Sequence, residues 1–88
     1  ACGSAIRRDW AADRTATVLS RLDAAGAASL GALNMTEFAY GPTGQSEAFG
    51  DVRNPWNPAY ITGGSSSGAG AAIAARLAYG ALGSDTGG

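Results

Sequence analysis

The sequence predicts an α/β architecture. Three observations carry that reading: an amphipathic helical stretch, a short apolar run directly after it, and a second, almost wholly apolar helix held between two glycine-rich loops. With 88 residues the chain suffices for one small domain at most. A domain of that size buries only roughly 60–65% of its unfolded surface, so its core is expected to be marginal. The opening residues Ala1-Cys2-Gly3-Ser4 carry neither an initiator methionine nor the charged-then-apolar pattern of a signal peptide, so the true N-terminus is expected upstream.

From Asp13 to Ala25, the apolar residues Val18, Leu19, Leu22 and Ala25 recur at helical spacing while Arg14, Arg21 and Asp23 take other faces, which predicts an amphipathic helix. Asp13 or Thr15 suits its N-cap, and Gly26 stands where a left-handed residue ends a helix. The next run, Ala27 to Leu33, is short, apolar and bounded by glycine and Asn34, as a buried strand would be. Between Asn34 and Gly64, three prolines and several glycines interrupt the chain too often for long elements. The aromatics Phe38, Tyr40, Phe49, Trp56 and Tyr60 argue against disorder there. That segment reads as an ordered loop with one short helical turn near Thr36-Glu37, and Trp56 reads as a buried anchor. From Gly68 to Tyr79 a helix of Ala and Gly with Ile73, Leu77 and the single charge Arg76 should be buried and tightly packed. Ser66 or Ser67 can cap its start and Gly80 its end, with Ala81-Leu82-Gly83 opening another buried strand or turn.

The formal net charge is −1, and no run of like charge exceeds the pair Arg7-Arg8, so neither a nucleic-acid footprint nor a membrane-surface patch is present. No stretch reaches the roughly 20 apolar residues of a spanning helix. A lone cysteine, Cys2, cannot form an internal disulfide, which favours a reducing, cytoplasmic compartment. The six basic residues are all arginine, and histidine is absent. Ser-His-Asp, Cys-His and Ser-Lys chemistry are therefore excluded within these 88 residues.

The most informative residues are Gly63-Gly64-Ser65-Ser66-Ser67-Gly68 and, past the apolar helix, Gly83-Ser84-Asp85-Thr86-Gly87-Gly88. Small residues ahead of a helix leave free N–H groups beside the positive end of the helix dipole, an anion-friendly arrangement in which hydroxyls can relay protons. A flexible linker is the bland alternative, but linkers are not usually followed by an apolar helix and a second glycine turn. A phosphate loop is the sharper rival. It lacks the lysine that should follow the glycines, and Gly68-Ala69-Gly70 has no third glycine at Ile73. A glycine-loop nucleotide-binding module, or a non-catalytic relative of an enzyme, stays as the alternative from another class.

These two loops, in spacing and composition, resemble the defining segment of the amidase signature family. The resemblance extends through Arg21-Leu22-Asp23-Ala24-Ala25-Gly26-Ala27, Leu33-Asn34-Met35-Thr36-Glu37-Phe38-Ala39-Tyr40-Gly41, Phe49-Gly50 and Arg53-Asn54-Pro55-Trp56, and so covers nearly the whole chain. One departure is visible: where many members have Gly-Lys-Thr-Asn, this chain has Gly31-Ala32-Leu33-Asn34. The family's lysine there is not the catalytic one.

The resemblance implies a fragment of the amidase signature fold, a mixed β-sheet flanked by α-helices, with residues 1–88 a partial amidase domain. It implies a triad of lysine, cis serine and nucleophilic serine, of which only the middle member falls in this chain. That member is Ser65, so the cis peptide bond would be Gly64–Ser65. The nucleophile would follow Gly88 directly, and the lysine would precede Cys2. The oxyanion hole maps to the backbone N–H groups of Thr86, Gly87 and Gly88, with Gly63, Gly64, Ser66 and Asp85 as the supporting loops; Asp85 ties its turn through backbone hydrogen bonds. Ala39-Tyr40-Gly41 would border the substrate pocket, and Asn34 to Phe38 and Asn54 to Trp56 would pack and shape the loops. The implied activity is hydrolysis of a carbon–nitrogen amide bond through an acyl-enzyme, on a small-molecule amide, with no metal or organic cofactor. The alternative within the family is the glutaminase A subunit of a tRNA-dependent amidotransferase, so a homodimer or amidotransferase subunits are the expected partners. The fragment alone is expected to be inactive.

Overall fold

A computed structural model describes residues 1–85 and residue 87. Its helical elements are a 3₁₀ turn at Ala5–Arg7, helix α1 at Thr17–Ala24, a 3₁₀ turn at Glu37–Ala39 and helix α2 at Ser67–Ala74. The first turn had no signal in the hydrophobic pattern. It is capped by Ser4, whose hydroxyl accepts from the Ile6 N–H at 3.2 Å, and the Arg7 guanidinium lies 4.2 Å above the Trp10 ring just beyond it.

Helix α1 ends as expected and starts later than expected. Gly26 has φ +86°, and its N–H donates to the Asp23 carbonyl at 2.9 Å while the Ala27 N–H reaches back to Leu22 at 3.0 Å. This paired closure is the Schellman ending that a glycine at this position permits. At the other end neither Asp13 nor Thr15 is the cap. The N-cap is Ala16, in extended conformation and with no side-chain hydrogen bond. Helix α2 stops at Ala74 because the same double closure forms a turn before Gly80: the Arg76 N–H donates to Ile73 at 3.0 Å and the Leu77 N–H to Ala72 at 2.9 Å. Arg76 takes the left-handed conformation, φ +59°, at a position where sequence reasoning looks for glycine.

The strand expected at residues 27–33 does not form, and residues 81–83, read as a strand or turn, form neither. A strand exists only through its partner, and among the described residues none lies alongside Ala27 to Leu33 or Ala81 to Gly83. Leu30 is consequently 78% exposed. Among the described residues the pairing of this kind is an isolated antiparallel bridge, Arg53 with Ile61. It closes a proline-rich excursion shaped by two asparagines: Asn54 accepts from the Trp56 N–H and Asn57 from the Ala59 N–H, each at 3.0 Å. Trp56 sits at the tip of this excursion, 86% exposed; it is no buried anchor. The short turn read near Thr36-Glu37 is present, bent by positive φ at Phe38 and Ala39.

Little of the apolar surface is covered. The one buried hydrophobic residue among the described ones is Ala72, and the stripe Val18, Leu19, Leu22 of α1 stays exposed. Helix α2, expected to be enclosed, buries Ser67, Gly68 and Ala72 and leaves Ile73 open, and Leu77 just beyond it is open too. The accessible surface of 6665 Å² exceeds the roughly 4,700 Å² that scaling gives for a self-contained chain of this mass.

What does pack tightly is the start of α2. The Gly68 N–H donates to the Asn34 carbonyl at 2.9 Å. A Cβ on Gly68 would stand 2.5 Å from that oxygen and 2.7 Å from the Asn34 nitrogen, so only glycine lets helix and segment approach this closely.

Candidate active site

Two loops meet at the N-terminal end of α2, and the contacts that hold them begin with backbone. The Thr36 N–H donates to the Ser65 carbonyl at 2.9 Å, one step along from the Asn34–Gly68 contact, so residues 65–68 run against residues 34–36. The peptide bond between Gly64 and Ser65 is cis, the geometry the resemblance implies for it. Gly64 is confined: a Cβ there would lie 2.8 Å from the Gly41 carbonyl oxygen and 2.9 Å from Thr36 Oγ1.

The three serines then divide. Ser65 is half-buried, and among the described residues its hydroxyl has no hydrogen-bond partner. Ser66 is the N-cap residue of α2 but makes no side-chain cap. Its hydroxyl instead accepts from the Ser84 N–H at 2.9 Å and lies 3.4 Å from the Ser84 carbonyl oxygen, joining the first glycine loop to the second. Ser67 is fully enclosed, 2% exposed, and its hydroxyl is unpartnered among the described residues.

In the second loop Asp85 accepts the Gly87 N–H through Oδ1 at 3.2 Å, so the carboxylate ties its turn as expected. Of the three residues mapped to the oxyanion hole, Thr86 and Gly88 lie outside the described residues. The Gly87 N–H points to Asp85 over a contact at the long end of the hydrogen-bond range.

Both loops line one open groove of about 840 Å³. Gly63, Gly64, Ser65 and Ser66 form one part of its lining, Ser84, Asp85 and Gly87 another, and Tyr40 and Gly41 border it. Ala39 lines the groove with them. An anion cradle is less well served. The Gly68 N–H is spent on Asn34, and those of Ala69 and Gly70 reach the Ser66 carbonyl at 3.1 and 3.2 Å, which takes up donors a phosphate loop needs. Among the described residues no cluster of His, Cys, Asp or Glu is arranged to hold a metal ion, and no helix is long and apolar enough to cross a membrane.

Sequence reasoning missed two participants. The Ser84 N–H is a backbone group, which residue type does not reveal. Thr36, 8% exposed beneath Gly64, was legible only as part of a packing block.

Residues 1–88 match the family described as Amidase along their whole length. The chain is 56% identical over 87 residues to the A subunit of the glutamyl-tRNA(Gln) amidotransferase from Azotobacter vinelandii, covering 99% of this chain and 18% of that protein. The identically named protein from Bordetella avium is 56% identical over 86 residues, covering 98% of this chain and 17% of that protein. A solved structure, described as part of a vestigial protein complex that reveals the origins of an s-triazine catabolic enzyme, superposes with a TM-score of 0.82 at 51% identity, over 85% of this chain and 17% of its own. The chain thus spans less than a fifth of the length of the relatives it matches.

Proposed function

Because this chain belongs to the amidase family, we propose that the protein carrying it hydrolyses a carbon–nitrogen amide bond through an acyl-enzyme, with Ser65 as the proton relay. The observation that carries this reading is the convergence of the two glycine loops on one groove, linked by the Ser66–Ser84 contact. In this scheme a serine directly after Gly88 attacks the amide carbonyl and passes its proton through the Ser65 hydroxyl to a lysine upstream of Cys2. Relays of this kind need a hydroxyl that both donates and accepts, and Ser65 has no competing partner among the described residues.

The carbonyl oxygen gains charge as the nucleophile adds. It is received by the backbone N–H groups of Thr86, Gly87 and Gly88; for Gly87 it competes with the 3.2 Å contact to Asp85. The proton then returns through Ser65 to the departing amine or ammonia, and water resolves the ester by the same route. The chemistry uses neither metal nor organic cofactor. The exposed faces of α1 and α2 and the unpaired runs 27–33 and 81–83 are accounted for if the remainder of the protein completes a mixed β-sheet flanked by helices.

The relatives' names favour a more specific version, the A subunit of a tRNA-dependent amidotransferase; in this reading the protein releases ammonia from glutamine for a partner subunit, in the cytoplasm. A simple amidase, free or as a homodimer, is the other member-level reading. Purified full-length protein, given simple amides and glutamine with and without candidate partner subunits, should release ammonia, and partner-dependent glutamine turnover selects the amidotransferase. The isolated 88-residue chain, lacking lysine, should give no turnover under the same assay; concentration-dependent hydrolysis by it would refute the triad proposed here.

A further inference from the structure

We infer that Thr36 is a positioning residue for Ser65, holding the relay hydroxyl at its station through the backbone; this rests on the reading of Ser65 given above. The Ser65 carbonyl accepts the Thr36 N–H at 2.9 Å. The side chain of the same residue fills the space beside the neighbouring glycine: Thr36 Oγ1 is 2.9 Å from where a Cβ on Gly64 would stand, and Cγ2 is 3.1 Å from the corresponding point on Gly41. One residue therefore touches the Gly64–Ser65 pair twice, once through a directed bond and once by filling volume.

Thr36 is itself anchored. Its carbonyl accepts the Ala39 N–H at 2.9 Å, and Asn34 ahead of it donates through Nδ2 to the Gly50 carbonyl at 2.9 Å and accepts the Met35 N–H at 2.9 Å. The side-chain hydroxyl has no partner among the described residues although the residue is more than nine-tenths buried. What the described contacts give the loop is therefore the volume of the Thr36 side chain and the bond from its backbone N–H. A shift of the Thr36 backbone moves the Ser65 carbonyl, and with it the hydroxyl that must stand between two proton partners, where displacements near 1 Å are costly.

The test uses the full-length protein and an ester in place of the amide at position 36, which removes the N–H and keeps the side chain. The kcat should fall about tenfold with KM within about twofold, as for an interaction made in the transition state. In a Ser65→Ala background the same ester should cost nothing further, because its effect passes through the absent hydroxyl. Should the ester protein fail to fold, Thr36→Ala, which empties the space beside Gly64, should lower kcat several-fold at unchanged KM, and Thr36→Val should restore most of the loss. An unchanged kcat in the ester variant, or equal losses with and without the Ser65 hydroxyl, overturns the assignment of Thr36. A near-normal rate for Ser65→Ala alone instead overturns the reading of Ser65, so the two failures are distinguishable.

Discussion

Replacing Ser65 by alanine in the full-length protein is expected to lower kcat by about 10²- to 10⁴-fold, the range a positioned acid–base group supplies, with KM and thermal stability little changed. The expectation follows from what the hydroxyl does not do. Among the described residues it caps no helix and joins no other element: Ser66 makes the link to Ser84, and the Ser65 carbonyl, which alanine retains, makes the bond to Thr36. Its removal should leave the loop in place and take away only the proton path. Steady-state kinetics beside a thermal melt checks this; a variant that turns over at a near-normal rate would assign Ser65 to structure.

Gly68→Ala should produce the largest structural effect. The added Cβ would meet the Asn34 carbonyl oxygen at 2.5 Å, the Asn34 nitrogen at 2.7 Å and Leu33 Cβ at 3.2 Å. Two of these are backbone atoms that cannot rotate away. The helix and the 34–36 segment must separate, stretching the Gly68–Asn34 and Thr36–Ser65 bonds together. Overpacking of this kind costs about 1–3 kcal/mol, and the displaced loop should lose activity as well. Gly70→Ala, two residues along the same helix with nothing within 4 Å of the new atom, is the control; alanine there should be neutral or stabilise by about 0.5–1 kcal/mol. Comparable melting temperatures for the two variants would contradict the packing described.

How far the sequence could be read depended on whether a feature was local. The end of α1 at Gly26 follows from residues within one turn and appears where expected; α2 does start beside Ser66, but without the side-chain cap that placed it there. The start of α1 was misplaced because its cap, Ala16, uses no side chain, and the end of α2 because Arg76 adopts a conformation usually left to glycine. The strand read at 27–33 and the strand or turn read at 81–83 do not appear, because a strand needs a partner and none lies alongside either run among the described residues. The apolar residues the pattern assigned to a core therefore stand exposed among the described residues.

The site divides along similar lines. Ser65, the paired glycines and Asp85 were singled out because the resemblance to the amidase signature family marks them, and the structure places Ser65, Gly64, Asp85 and Gly87 on one groove. The Ser66–Ser84 link was not legible, since one partner is a main-chain N–H eighteen residues away. Thr36 escaped for a related reason: the bond it offers Ser65 comes from its backbone.

The most direct measurement is a crystal structure of the full-length protein after reaction with a phosphonyl or sulfonyl fluoride, which captures a serine nucleophile as a tetrahedral adduct. The account predicts the adduct in the groove between the two glycine loops, with the Ser65 hydroxyl and the Gly87 N–H each within about 3 Å of its oxygens or of the labelled serine. An adduct on a serine elsewhere, or one seated in this groove with the Ser65 hydroxyl turned away and out of hydrogen-bonding reach, would contradict it.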